Sequence, residues 1–230
     1  MSGPIYEPRG AAKEYGDYAL NIYTGCPHRC FYCFAPGVLR RDEEEFHIRV
    51  EPRKNIVEYT RKQLEKEQIT GKTIHLCFTC DPFPTGYDIT PTLEIIKLLK
   101  EYGNHVQILT KGDGGRAFGL LDSDDWYGIT IDGGDDGPYF PEWRISDAKR
   151  AKEQGIKTWC SFEPVIDDKR VLSVIDAHYD LFDRIKIGKL NYHPSNINWK
   201  EFGKEAEALC KKLGVDYYIK DSLRKEMDKD

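Results

Sequence analysis

Six times along the chain, a short β-branched or aromatic run gives way to an amphipathic helical pattern. That alternation narrows the fold more than any other feature, because βα units in succession build a parallel sheet flanked by helices. Strands are expected near 19–24 (ALNIYT), 73–79 (TIHLCFT), 105–110 (HVQILT), 126–131 (WYGITI), 157–162 (KTWCSF) and 183–188 (DRIKIG). Helices are expected near 52–68, 90–102, 115–121, 141–154, 168–177 and 199–213. The clearest is "TPTLEIIKLLKEYG", with Thr90 as N-cap, Pro91 at the first helical position and Gly103 as the stop. With right-handed crossovers the expected fold is α/β: a partial (β/α)6 TIM-type barrel, open, in a single domain over 1–230.

Ligands in such folds gather on the loops that follow the strands. Those loops carry nearly every unusual stretch: residues 25–36, "CDPFPTGYD", "KGDGGR", "DGGDDGPYF", "EPVIDD" and "KLNYHP". The helix-to-strand connections, such as "EQITGK" and "EQGI", are plain by comparison. The C-terminal tail, 215–230, is expected to lay Tyr217, Tyr218 and Ile219 along the barrel's open edge, with its final residues fraying. The "RRDEEE" run at 40–45 reads as a solvated connection.

The first of these loops lies in "NIYTGCPHRCFYCFAP", where Cys26, Cys30 and Cys33 stand in C-x3-C-x2-C spacing beside Phe31, Tyr32 and Phe34. Seven cysteines, odd in number and clustered, do not describe a secreted disulfide scaffold. The opening residues lack a signal-peptide pattern, and no run approaches the ~18 apolar residues of a membrane span. A cytoplasmic protein is expected. Pro27, His28 and Arg29 mark the loop as polar, so three merely buried thiols fit poorly. A zinc site needs a fourth ligand, and "CFTC" offers Cys77 and Cys80. Their odd spacing points them to opposite faces unless the strand ends there. Three thiolates suit a [4Fe–4S] cluster with one iron open to an external chelator.

At this point the chain resembles a known family. The loop is similar to the C-x3-C-x-aromatic-C loop of the radical S-adenosylmethionine (SAM) superfamily, with Tyr32 at the aromatic position. "YEPRGAAKEYGDYALNIYTGCPHRCFYCFAP", "TCDPFP" and "SFEPVID" resemble segments of its spore photoproduct lyase-like branch. The resemblance implies that Cys26, Cys30 and Cys33 ligate a [4Fe–4S] cluster and that SAM chelates the open iron. One electron then cleaves SAM to a 5′-deoxyadenosyl radical, supplied by a donor such as flavodoxin or ferredoxin. Tyr32 would lie against the adenine. Position and family pattern together add Thr79, Lys111, Ser161 and Glu163 as SAM contacts. Each has a plainer role to set beside it: a strand-end cap for Thr79, a solvated cation for Lys111, an ordinary salt bridge for Glu163. Asp81 either contributes or starts a turn.

Spore photoproduct lyases return a hydrogen atom from a cysteine near this position, and Cys80 at the strand mouth is favoured over Cys77. No catalytic residue is assigned. Net charge is −5, and residues 112–142 hold eight acids against one base, Arg116. With Asp132, Asp135 and Asp136 at the expected rim, duplex DNA would be repelled, so photoproduct repair is doubtful. The glycine-rich turns lack a P-loop's Lys-Ser/Thr, and His193 reads as a loop histidine. Two further functions stay open: a glycyl-radical-enzyme activase, and a non-catalytic iron–sulfur or zinc module.

Overall fold

The computed structural model describes residues 3–134 and 142–229. The chain forms two compact units, one of residues 1–126 with 154–156, the other of residues 127–153 with 157–230.

In the first unit, strand β1 (Ile5–Tyr6) runs antiparallel to β2 (Tyr18–Leu20), and β2, β3 (Thr73–Leu76) and β4 (His105–Thr110) follow in parallel register. Between β2 and β3 lie helices α1 (Ala35–Leu39), α2 (Glu43–Ile48) and α3 (Ile56–Glu67). Helix α4 (Thr90–Glu101) joins β3 to β4. The alternation of β4 is visible in its burial, with Val106 and Ile108 closed off from solvent beside Ile74 and Leu76 of β3. Leu64 of α3 and Ile95, Ile96, Leu98 and Leu99 of α4 are buried as well. Each such side chain contributes about 2 kcal/mol by leaving water.

Local chemistry corrects several expected boundaries. Ile89, not Thr90, is the N-cap of α4, and the Asp88 carboxylate accepts from the Thr90 amide at 2.9 Å. The "RRDEEE" run is not a mere connection. Asp42 caps α2 by accepting from the Glu45 amide at 2.9 Å, and Glu43–Glu45 place negative charge on the helix's positive end. Residues Gly115–Leu120 form a 3-10 helix, as the glycines of "GDGGR" weaken regular α-helix. Strand β3 stops at Leu76, because Cys77 takes a left-handed φ of 69°.

The second unit contains β5 (Trp126–Thr130, from Tyr127 on), α5 (Glu142–Glu153), β6 (Lys157–Val165), α6 (Asp168–His178), β7 (Arg184–Lys189) and α7 (Trp199–Leu213). Asn198 caps α7, and Gly214 ends it at φ 70°. Strand β8 (Tyr217–Ile219) pairs in parallel with β7, so the C-terminal aromatics do cover a strand edge. Asp221–Met227 form α8, anchored by buried Leu223 and Met227. No helix among the described residues is long and apolar enough to cross a membrane.

Candidate active site

The cysteine loop leaves β2 of the first unit and is gripped by backbone on one side. A Cβ at Gly25 would sit 2.4 Å from the Phe46 carbonyl oxygen and 2.6 Å from that of Arg49, so only glycine lets the chain pass the end of α2. The Cys26 amide donates to the Phe46 carbonyl at 3.2 Å, and His47 Nδ1 lies 2.7 Å from the Cys26 carbonyl. The loop then tightens, with the Cys33 amide donating to the Cys30 carbonyl at 2.9 Å. All three thiols are free and partly reachable. Burial, with the Asp81 carboxylate nearby, pushes the Cys26 thiol well up, and burial also raises that of Cys33. Three soft sulfur donors spaced this way suit a metal.

The second grip is Asp81, and it is far more than a turn. Its buried carboxylate accepts from the Thr110 hydroxyl at 2.5 Å and from the Lys111 and Phe83 amides at 2.8 Å each. His28, between Cys26 and Cys30, brings Nε2 to 3.0 Å from the same carboxylate. Burial opposes its charge, but His28, Thr110 and the Lys111 amide together hold the Asp81 pKa below the usual carboxylate range. One side chain therefore ties the cysteine loop to the end of β4. Just beyond, a Cβ at Gly112 would lie 1.8 Å from the Phe83 carbonyl oxygen, so the chain after Lys111 also depends on glycine.

Lys111 is not a solvated cation. It is buried, with Nζ 3.5 Å from Cys30 Sγ, bonded to the Tyr32 hydroxyl at 2.5 Å and 5.1 Å from the centre of that ring. Thr79 lies on the turn after β3, where its amide and that of Phe78 donate to Asn21 Oδ1 at 2.9 and 2.8 Å. The Thr79 hydroxyl is buried and has no hydrogen-bond partner among the described residues. A buried hydroxyl without a partner fits a polar ligand in that place.

Within the second unit, Ser161 is fully buried on β6, and Glu163 on the same strand bonds Lys220 Nζ at 2.5 Å. The salt bridge weighed for Glu163 is thus present, with Lys220, just after β8, as its partner. Asp132 is 2% exposed, so it offers no open acidic rim; its carboxylate accepts from the Gly134 amide. In the first unit Asp125 is fully buried and, with Asp122, holds Lys100, so part of the acidic segment is spent on structure. Asp135 and Asp136 lie outside the described residues. His193 is exposed.

Sequence reasoning did not find Gly25, His47 or Asn21, and it undervalued Asp81. Only for Asp81 was there a local signal, its place immediately after "CFTC" at the end of a strand.

Comparison with known proteins follows the same residues. A spore photoproduct lyase variant with bound AdoMet and dinucleoside spore photoproduct superposes with a TM-score of 0.65 at 13% identity, over 93% of this chain and 78% of that one. Streptococcus suis SuiB bound to S-adenosylmethionine gives 0.65 at 13% identity, over 87% of this chain and 50% of that one. These likenesses show the fold, the partial TIM-type α/β barrel of both structures. An uncharacterised protein of Mycobacterium tuberculosis is 30% identical over 118 residues, 46% of this chain. The chain spans about a third (32%) of that relative's length. The family model of the Radical SAM superfamily matches residues 20–181, from the strand before the cysteine loop to the end of α6 and the short turn after it. With most of its length so matched, this chain belongs to the radical SAM superfamily.

Proposed function

We propose that the protein is a radical SAM enzyme that holds a [4Fe–4S] cluster through Cys26, Cys30 and Cys33 and binds SAM beside it. The observation that carries this reading is the set of three free thiols on one clamped loop, with the Lys111 ammonium 3.5 Å from Cys30 Sγ. When bound, the cluster and SAM supply one-electron reduction and a 5′-deoxyadenosyl radical that abstracts hydrogen from a substrate.

The chain's own residues have the tasks of binding and placing. Lys111 offers a fixed positive charge for the SAM carboxylate, and its bond to Tyr32 holds that ring against the loop. Thr79 has a hydroxyl to give to the ribose. Asp81 keeps Lys111 and the cysteine loop in register through Thr110, two backbone amides and His28. For Ser161 and Glu163 of the second unit, contact with SAM rests on the family pattern, with Glu163 bonded to Lys220 and suited to a hydroxyl or ammonium group. A one-electron donor such as flavodoxin or ferredoxin and a cytoplasmic setting accompany this reading. The substrate is an organic molecule with an abstractable hydrogen, and duplex DNA is disfavoured by the net charge of −5.

Anaerobically reconstituted protein is expected to be brown, to hold about four irons per chain, and to release 5′-deoxyadenosine and methionine from SAM under dithionite. Cys30→Ala should abolish both cluster and cleavage while the far-ultraviolet circular dichroism stays unchanged. A colourless protein carrying a single zinc, or cleavage surviving in Cys30→Ala, overturns the assignment.

A further inference from the structure

Cys77 and Cys80 are drawn together by the end of β3. On a continuous strand their spacing would aim them at opposite faces. The left-handed turn at Cys77, φ 69°, breaks the strand, and Asn21 Oδ1 pins the next two amides. The turn thereby brings the two thiols near enough for each to shift the other's ionisation. The Tyr23 amide adds a further hydrogen bond to Cys80 Sγ at 3.4 Å. Cys77 is 6% exposed, whereas Cys80 is only partly buried.

We propose that Cys77 and Cys80 form a redox-active dithiol, a modification site that a low-molecular-weight disulfide closes to an intramolecular disulfide. The chemistry has a fixed order. The Cys80 thiolate attacks the small disulfide, forming a mixed disulfide and expelling one small thiolate. The Cys77 thiol then attacks Cys80 Sγ, releasing the second small thiol and its proton. Two protein thiols are oxidised and one small disulfide is reduced to two thiols. The asymmetry of the pair supports the order. Burial works against the Cys80 thiolate, but the neighbouring Cys77 and the Tyr23 amide bring its pKa below the ordinary value. Burial, with Cys80 nearby, pushes the Cys77 thiol well up. The pair immediately precedes Asp81, so its redox state is set on the turn that carries that carboxylate. Nothing in this proposal depends on the cluster or on SAM.

Trypsin should release residues 73–97 as one peptide containing both cysteines and no other. Full-length protein is equilibrated anaerobically across ratios of reduced to oxidised glutathione, quenched with acid, alkylated and digested. The expected result is one transition from a doubly alkylated peptide to an unalkylated one whose mass is two hydrogen atoms below that of the free dithiol peptide. The closed form should outnumber any glutathione adduct at least about tenfold. Cys77→Ser should instead trap one glutathione on Cys80. Two independent adducts, two thiols still alkylated at the oxidising end, or Cys80 joined to Cys26, Cys30 or Cys33 each overturn the proposal. The wild-type measurement decides the matter even if the variant fails to fold.

Discussion

The two units treat their buried charges differently. In the first, the Asp81 carboxylate is spent on hydroxyl, amide and imidazole donors, so it organises a loop. In the second, Glu163 is matched directly by Lys220, with side chains 18% and 4% exposed. A carboxylate shared among several donors positions what surrounds it. A carboxylate paired with a buried cation chiefly offsets the cost of burying both. Around Asp81, removing one group disturbs several neighbours, while the Glu163–Lys220 pair is lost when either member is removed.

The largest effect should come from breaking that pair on one side. Lys220→Ala leaves Glu163 without its cation and should cost about 3 kcal/mol in chemical denaturation. Glu163→Leu combined with Lys220→Met should recover most of that loss, because paired apolar groups have no charge to desolvate. If the double variant is stable yet no longer binds SAM, Glu163 is a ligand contact as well as an ion-pair partner. Asp81→Asn sharpens the other side of the comparison. Asparagine keeps one acceptor but puts a donor where a second oxygen receives the Lys111 amide. Iron content or SAM affinity is expected to fall about 10- to 100-fold, with the fold retained. Equal iron and affinity in wild type and variant would show that Asp81 is only a turn. Lys111→Ala should weaken SAM binding about tenfold, one charge-assisted contact, with the cluster still loaded. The smallest effect belongs to Arg29→Ala. Arg29 bonds Glu44 at 2.6 and 2.7 Å, but both side chains are exposed, and no measurable change in melting or SAM cleavage is expected.

Legibility varied with the range of the forces involved. The bounds of β4 and α7 match the sequence expectation, because alternating burial in HVQILT and the Asn198 to Gly214 caps are written locally. β3 was read three residues too long, since "CFT" has strand-like composition and only the turn at Cys77 ends it. Helix α8 was missed because seven residues rich in charge carry little periodic signal until Leu223 and Met227 find a surface to cover. The thiol trio was legible through spacing. The groups that hold it were not, since His47 and Asp81 lie 21 and 55 positions from Cys26 in the chain.

What the order of residues determined by itself was the succession of βα units and a compact set of sulfur donors, both products of short-range periodicity and spacing. Tertiary structure alone decided that Lys111 is a buried neighbour of Cys30, that Asp81 joins two strand ends to the cysteine loop, and that the chain turns left-handed at Cys77. Such pairings depend on where separate strands end and which way the chain turns next, and no local pattern of hydrophobicity carries that information.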